Sequence, residues 1–195
     1  MKLAIIIGSV REGRFGPRIA QWFTERAAEH GQFAIDVLDV ADAALPHALP
    51  SDVGTLLDVG SRSSEQQALA GRLAEADAFV VVTPEYNHSF PASLKHLVDW
   101  HFTEWQAKPI GFVSYGGHGG GLRAIEQLRL VFAELHAVTV RDSVSFDRHW
   151  ERFDPAGLLS DAEGPDGAAK VLLDQLAWWA RALSEARAAR PYAAV

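Results

Sequence analysis

No cysteine occurs among the 195 residues. That absence excludes disulfides, thiol nucleophiles and cysteine metal sites, and it suits a cytoplasmic protein. Positive charge is also scarce: 18 Lys and Arg stand against 25 Asp and Glu, a formal charge of −7. Such a balance argues against general nucleic-acid binding. Long hydrophobic runs are missing as well. The longest, such as Leu3 to Ile7, are far too short to span a membrane, and Met1-Lys2 leads straight into an apolar stretch with no signal pattern before it. His96, Asp99 and His101 lack the i, i+4 spacing of a helical zinc pair, so no metal is expected. With 48% hydrophobic and 22% charged residues, the composition is that of an ordinary globular protein. One domain over residues 1–190 is expected, with 191–195 as a disordered tail.

Apolar runs alternate with helical patterns along the chain. Leu3 to Ile7, Ala78 to Thr83 and Ile110 to Ser114 lack polar alternation, as strands buried on both faces do. Phe33 to Val37 alternates, and Val138 to Val140 is short, so both read as edge strands. Helices are predicted over about 17–30, from Ser63 or Ser64 to about Ala76, over 91–105, over 121–135 and over 168–188. Irregular stretches at 41–61 and 147–167 remain. Strands separated by helices at this spacing predict an α/β fold with a parallel sheet covered on both faces. Placing the apolar strands centrally gives the order 2-1-3-4-5, whose switch point lies between strands one and three.

Two loops should therefore face each other. Gly8-Ser9-Val10-Arg11-Glu12-Gly13-Arg14-Phe15-Gly16 joins strand one to a helix; its glycines permit close backbone approach, and Arg11 and Arg14 can clamp oxygens. This suits a monophosphate. Arg14-Phe15 stands where a Walker loop needs Lys-Ser/Thr, and the dinucleotide G-x-G-x-x-G pattern is absent. A plain strand-to-helix turn with surface arginines is the alternative. Thr83-Pro84-Glu85-Tyr86-Asn87-His88-Ser89-Phe90-Pro91 follows strand three as a rigid polar ledge suited to a flat polar ring. A third loop, Ser114-Tyr115-Gly116-Gly117-His118-Gly119-Gly120-Gly121, exposes many backbone N–H groups beside it. The esterase reading of its His-Gly-Gly-Gly run fails, because no Gly-x-Ser-x-Gly elbow exists.

Leu94, Leu97, Val98, His101, Phe102 and Trp105 form a helical stripe that reads as core, with Trp100 on another face, toward an interface or solvent. Trp178 and Trp179 cannot share one core stripe, so at least one should cover a loop, a partner subunit or the site mouth.

Gly8-Ser9-x-Arg11, Thr83-Pro84-Glu85-Tyr86-Asn87-x-Ser89-x-Pro91 and Leu94-Lys95 together resemble the NAD(P)H-dependent FMN reductase family of flavodoxin-like proteins. The resemblance implies a flavodoxin-like three-layer sandwich that binds FMN and uses NADPH or NADH as co-substrate. It also implies a homodimer or tetramer acting on a small-molecule electron acceptor such as a quinone, an azo dye, a metal oxyanion or free flavin. Ser9, Arg11, Arg14, Phe15 and Gly16 would hold the phosphate. Pro84, Glu85, Tyr86, Asn87, Ser114, Tyr115, Gly116 and Gly117 would line the ring. Arg14 and Gly16 depart from the Ser and Asn found in many members. The flavin carries the chemistry, so no side chain is required as catalyst; Glu85, Tyr86 and His118 are candidate proton donors. A flavin-binding electron carrier or redox sensor without NAD(P)H turnover is the alternative function.

Overall fold

The computed structural model describes residues 1–155 and 157–192. Five parallel strands run β1 (Lys2–Ile7), β2 (Ala34–Asp39), β3 (Ala78–Pro84), β4 (Pro109–Tyr115) and β5 (Val138–Phe146). They pair in the order β2-β1-β3-β4-β5, as the placement of the apolar runs predicts. Every residue of β3 and β4 is buried, which explains their unbroken hydrophobicity. The helices are α1 (Gly16–His30), α2 (Val53–Leu57), α3 (Ser64–Glu75), α4 (Ala92–Asp99), α5 (Leu122–Glu134) and α6 (Glu163–Ala189).

Two cores separate the three layers. Ile19 and Phe23 of α1 and Leu172, Leu173 and Leu176 of α6 pack with Ile5, Val80 and Val113 on one face. Leu73 of α3, Leu94 and Leu97 of α4, and Leu128 and Phe132 of α5 pack with Ile6, Val81 and Phe112 on the other. Crossovers between parallel strands leave the loops after β1, β3 and β4 together at the carboxyl edge of the sheet. Ser63 caps α3 through a capping box with Gln66, which settles the choice between Ser63 and Ser64.

Three boundaries differ from the sequence reading. The helix predicted over 91–105 ends at Asp99. Beyond it the Trp105 indole Nε1 donates to the carbonyls of His101 at 2.8 Å and Val98 at 3.3 Å, taking carbonyls that a continuing helix would have used. The apolar stripe still forms core, because the turned segment keeps Trp105 buried. The fifth strand runs nine residues, not three. Its pairing with β4 skips from Ile110↔Thr139 to Phe112↔Ser143, so a bulge around polar Arg141-Asp142 masked the continuation. Helix α6 starts five residues earlier than the predicted 168, with Pro165 tolerated in its first turn.

Trp100 is buried, not on an interface or in solvent; its Nε1 reaches the Pro46 carbonyl at 3.3 Å. Trp178 and Trp179 both stay outside the core, at 64% and 36% exposure. Of the expected tail, Tyr192 Oη lies 2.8 Å from His136 Nδ1, while residues 193–195 fall outside the described residues. Among the described residues no helix is long and apolar enough to cross a membrane, and no group of three His, Asp or Glu could hold a metal ion.

Candidate functional site

The Gly8–Gly16 loop leaves β1 through a bond from Gly8 N to the Val82 carbonyl at 2.9 Å, so its first residue is tied to β3. Ser93 of α4 donates its hydroxyl to the Gly8 carbonyl at 2.9 Å. Ser9 is fully buried, and its Oγ meets Tyr86 Oη at 2.8 Å, bridging the two loops across the switch point. A turn from Arg11 to Arg14 then feeds α1, whose amino end has no side-chain cap and no acid in its first turn. Such an end presents free N–H groups and a partial positive charge. Gly16 is required by close approach: a Cβ there would lie 3.0 Å from both Ile7 and Tyr115 Oη.

The two arginines of this loop do different things. Arg14 makes a two-pronged bridge to the Asp39 carboxylate at 2.5 and 2.6 Å, and its Nη1 also donates to the Ser9 carbonyl. It fastens the loop to the end of β2. Arg11 is exposed, and among the described residues its guanidinium has no hydrogen-bond partner.

The ledge after β3 is a tight reverse turn. Tyr86 and Ser89 exchange both backbone hydrogen bonds, at 2.8 and 2.9 Å, and Asn87 and His88 between them have φ of 50° and 67°. Two left-handed residues in succession make a type I′ turn, which Asn tolerates better than most side chains do. Helix α5 holds the turn from below. Glu85 accepts from the backbone N–H of Arg123 at 3.2 Å and from its guanidinium at 2.8 Å. One turn along, Gln127 donates to the His88 carbonyl at 2.8 Å and pairs with the Ser89 hydroxyl at 2.6 Å. The Glu85 carboxylate is thus committed to the helix.

The third loop is braced internally. Ser114 and Ser145 both donate to the Gly120 carbonyl, at 2.7 and 2.8 Å. Gly121 has φ of +88°, and a Cβ there would stand 2.6 Å from Ser114 Cβ. Tyr115 is buried, with its hydroxyl unpartnered. Burial above all, with Tyr86 nearby, raises its pKa well beyond the ordinary phenol value, so it stays protonated.

A cavity of about 350 Å³ opens where the loops converge. Arg11, Arg14 and Phe15 form one wall, Pro84, Glu85 and Tyr86 a second, and Tyr115, Gly116 and Gly117 the floor. Ser9, Gly16, Asn87 and Ser114 do not line it; Ser9 and Ser114 lie behind the wall as braces, and Asn87 sits exposed at the tip of the ledge. His118 is exposed and also outside it. Hollows of about 750 and 690 Å³ exist elsewhere. The first is walled by charges already paired, Arg26 with Asp166 and Lys170 with Asp174, and the second lies at the amino ends of the strands. Position outweighs size here, because parallel sheets bind ligands at their carboxyl ends.

His149 and Trp150 complete the cavity, and Glu12 and Gly13 join the first wall. No motif marks this His-Trp pair; only its place in the 147–167 stretch, after the last strand, hints at a roof. An aromatic series leads to it from the core: Trp22 to Phe146 at 5.1 Å, Phe146 to Phe153 at 5.4 Å, Phe153 to Phe15 at 5.3 Å and Phe15 to His149 at 4.8 Å. The 41–61 segment lies against α4 instead, where His96 Nε2 donates to the Pro46 carbonyl at 2.7 Å.

Both the sequence and the fold have counterparts among known proteins. The chain is 38% identical over 122 residues to an NAD(P)H-dependent FMN reductase of Schizosaccharomyces pombe, covering 62% of this chain and 60% of that protein. It is 29% identical over 189 residues to a 2-hydroxy-1,4-benzoquinone reductase of a Burkholderia species, covering 93% and 97% of the two chains. In fold it resembles a flavoenzyme NAD(P)H:(acceptor) oxidoreductase of Paracoccus denitrificans, with a TM-score of 0.73 at 22% identity over 93% and 97% of the two chains. A flavodoxin of Pseudomonas aeruginosa superposes with a TM-score of 0.52 at 22% identity, over 93% and 99%. The pattern that defines NADPH-dependent FMN reductases matches residues 1–151, from β1 through the His149-Trp150 roof, and the chain belongs to that family.

Proposed function

We propose that this chain is an FMN-dependent NAD(P)H oxidoreductase that passes electrons to a quinone, a free flavin or a similar small acceptor. The observation that carries this reading is the convergence of the Gly8–Gly16 loop and the Pro84–Tyr86 ledge on one cavity at the β1/β3 switch point. Its volume lies within the range of small-ligand sites.

The donor set fits a flavin mononucleotide. Arg11 is an uncommitted cation beside the uncapped amino end of α1, a combination that favours a phosphate. The Arg11-to-Phe15 turn would hold that phosphate, with Ser9 bracing it from behind through Tyr86 and Arg14 keeping it in place through Asp39. Pro84, Tyr86 and the Gly116-Gly117 backbone would line the ring. Bound there, FMN would supply the redox chemistry, hydride acceptance from a nicotinamide and electron donation to the small acceptor. The protein's share is binding, orientation and a fixed polar wall. Glu85 serves as a clasp on α5, and Tyr86 is the ledge hydroxyl nearest the cavity.

The family relationship supports a cytoplasmic homodimer or tetramer, and the packing of α6 in the same core as α1 supports residues 1–190 as a single functional unit. The test is anaerobic mixing of the FMN-loaded protein with NADPH and with NADH. Rapid bleaching near 450 nm, restored by a quinone, is the expected result. A bound flavin that stays oxidised would leave an electron carrier or redox sensor, and a protein that takes up no FMN would overturn the flavin reading.

A further inference from the structure

His149 is held from several sides at the cavity wall. Its ring lies 4.8 Å from Phe15, 5.0 Å from Tyr115 and 5.1 Å from Trp150 between centroids. Its Nδ1 stands 3.1 Å from the Gly116 carbonyl oxygen. A carbonyl can only accept, so Nδ1 carries a proton and donates it. Burial outweighs that bond and pulls the imidazole below the usual histidine value, which leaves the ring neutral at pH 7. A neutral ring protonated at Nδ1 has a lone pair at Nε2, and among the described residues no donor reaches it. Nor is that nitrogen one of the fully enclosed unpartnered atoms, and its residue lines the cavity. Glu85, a carboxylate of the same cavity, is already engaged by Arg123.

We propose that His149 Nε2 is a hydrogen-bond acceptor for an N–H or O–H group of the bound ligand. Two sources offer that chemistry: the ribityl hydroxyls or ring N–H of FMN, and the carboxamide N–H of the nicotinamide. A quinone without hydroxyl substituents offers only carbonyl acceptors, so its binding does not use this nitrogen. The inference rests on the flavin reading above and goes beyond it by assigning a polar contact to the roof.

Two variants separate the roles of the ring. His149→Asn keeps a donor near the Nδ1 position for the Gly116 carbonyl and removes Nε2. His149→Phe keeps the aromatic packing and removes both nitrogens. FMN affinity is read by titrating free FMN and following its fluorescence; NADPH affinity is read from the saturation of anaerobic flavin bleaching. Both variants should lose about 3- to 10-fold in one of these affinities, the loss expected for one neutral hydrogen bond. A loss in the first assigns the partner to FMN, and a loss confined to the second assigns it to the nicotinamide. The KM for a quinone without hydroxyl substituents should hold. If either variant binds both ligands like the parent, the ring serves only as a brace or as packing, and the proposal fails. If the parent itself binds no FMN, the flavin reading fails first, and the same titration shows it.

Discussion

The hydroxyls of Ser9 and Tyr86 stand 2.8 Å apart, joining two loops that are 77 residues distant in the chain. This bond closes the gap between β1 and β3 at the place where the sheet changes winding direction. It holds the phosphate-side loop and the ring-side ledge in a fixed relation before any ligand arrives. Such pre-organisation spares the ordering cost that binding would otherwise incur. A double-mutant cycle with Ser9→Ala and Tyr86→Phe should give a coupling of about 0.5–1.5 kcal/mol in denaturant unfolding. Strict additivity would show that the contact contributes nothing.

Arg11 and Arg14 should separate cleanly. Arg11→Ala should weaken FMN binding by about 1.5–3 kcal/mol and flatten its salt dependence, with the melting temperature nearly unchanged. Arg14→Ala should instead lower stability by about 1–3 kcal/mol, because Asp39 loses its bidentate partner in a half-buried place. Fluorescence titrations at two ionic strengths and thermal melts of both variants check this. The opposite pattern would put the phosphate on Arg14.

Within the third loop, Gly121→Ala forces a side chain into the left-handed region and against Ser114 Cβ. A loss of about 2–4 kcal/mol is expected from conformational strain and overlap together. Gly117→Ala, where a Cβ meets nothing within 4 Å, should change stability by less than about 0.5 kcal/mol. Equal effects in urea melts would contradict the geometry of this loop.

Lys108 gives a pH signature far from the cavity. Its Nζ is buried at the carboxyl end of α3, donating to the carbonyls of Leu73 at 3.0 Å and Ala74 at 2.7 Å. Burial, with Arg187 adding to it, pushes its pKa down to about 8 from an ordinary 10.5. Between those values the unfolded chain keeps a proton that the folded chain has released, so stability rises with pH across the window. Compared with Lys108→Met, the parent should gain up to about 3 kcal/mol between pH 8 and pH 10.5. A difference that stays flat over this range would mean that Nζ titrates as a solvent-exposed lysine does.

The sheet order was legible because burial on both faces leaves its mark directly on composition: Val80-Val81-Val82 and Ile5-Ile6-Ile7 can sit only at the centre. The ledge was legible because its prolines and polar residues are concentrated in nine consecutive positions. What stayed hidden depended on contacts between segments. The extension of β5 was masked by polar bulge residues, and the early end of α4 depends on one indole reaching back to two carbonyls. Arg11 and Arg14 look equivalent in sequence, and only Asp39, 25 residues on, tells them apart. Nothing in the pattern announced His149, because its significance comes from Phe15, Tyr115 and Gly116, all more than thirty positions away.

The reverse turn at Asn87 and His88 has a consequence for how a site of this kind can diversify. Gln127 holds its backbone at the His88 carbonyl and Arg123 holds the adjacent Glu85 carboxylate, so the side chains of the two tip residues contribute little to holding the frame. Their left-handed backbone restricts them mainly to Asn, Asp, Gly or His, while the chemistry they present outward is free to drift. Exchange of one or two tip residues can then alter the surface presented beside Tyr86 while the cavity walls stay unaltered.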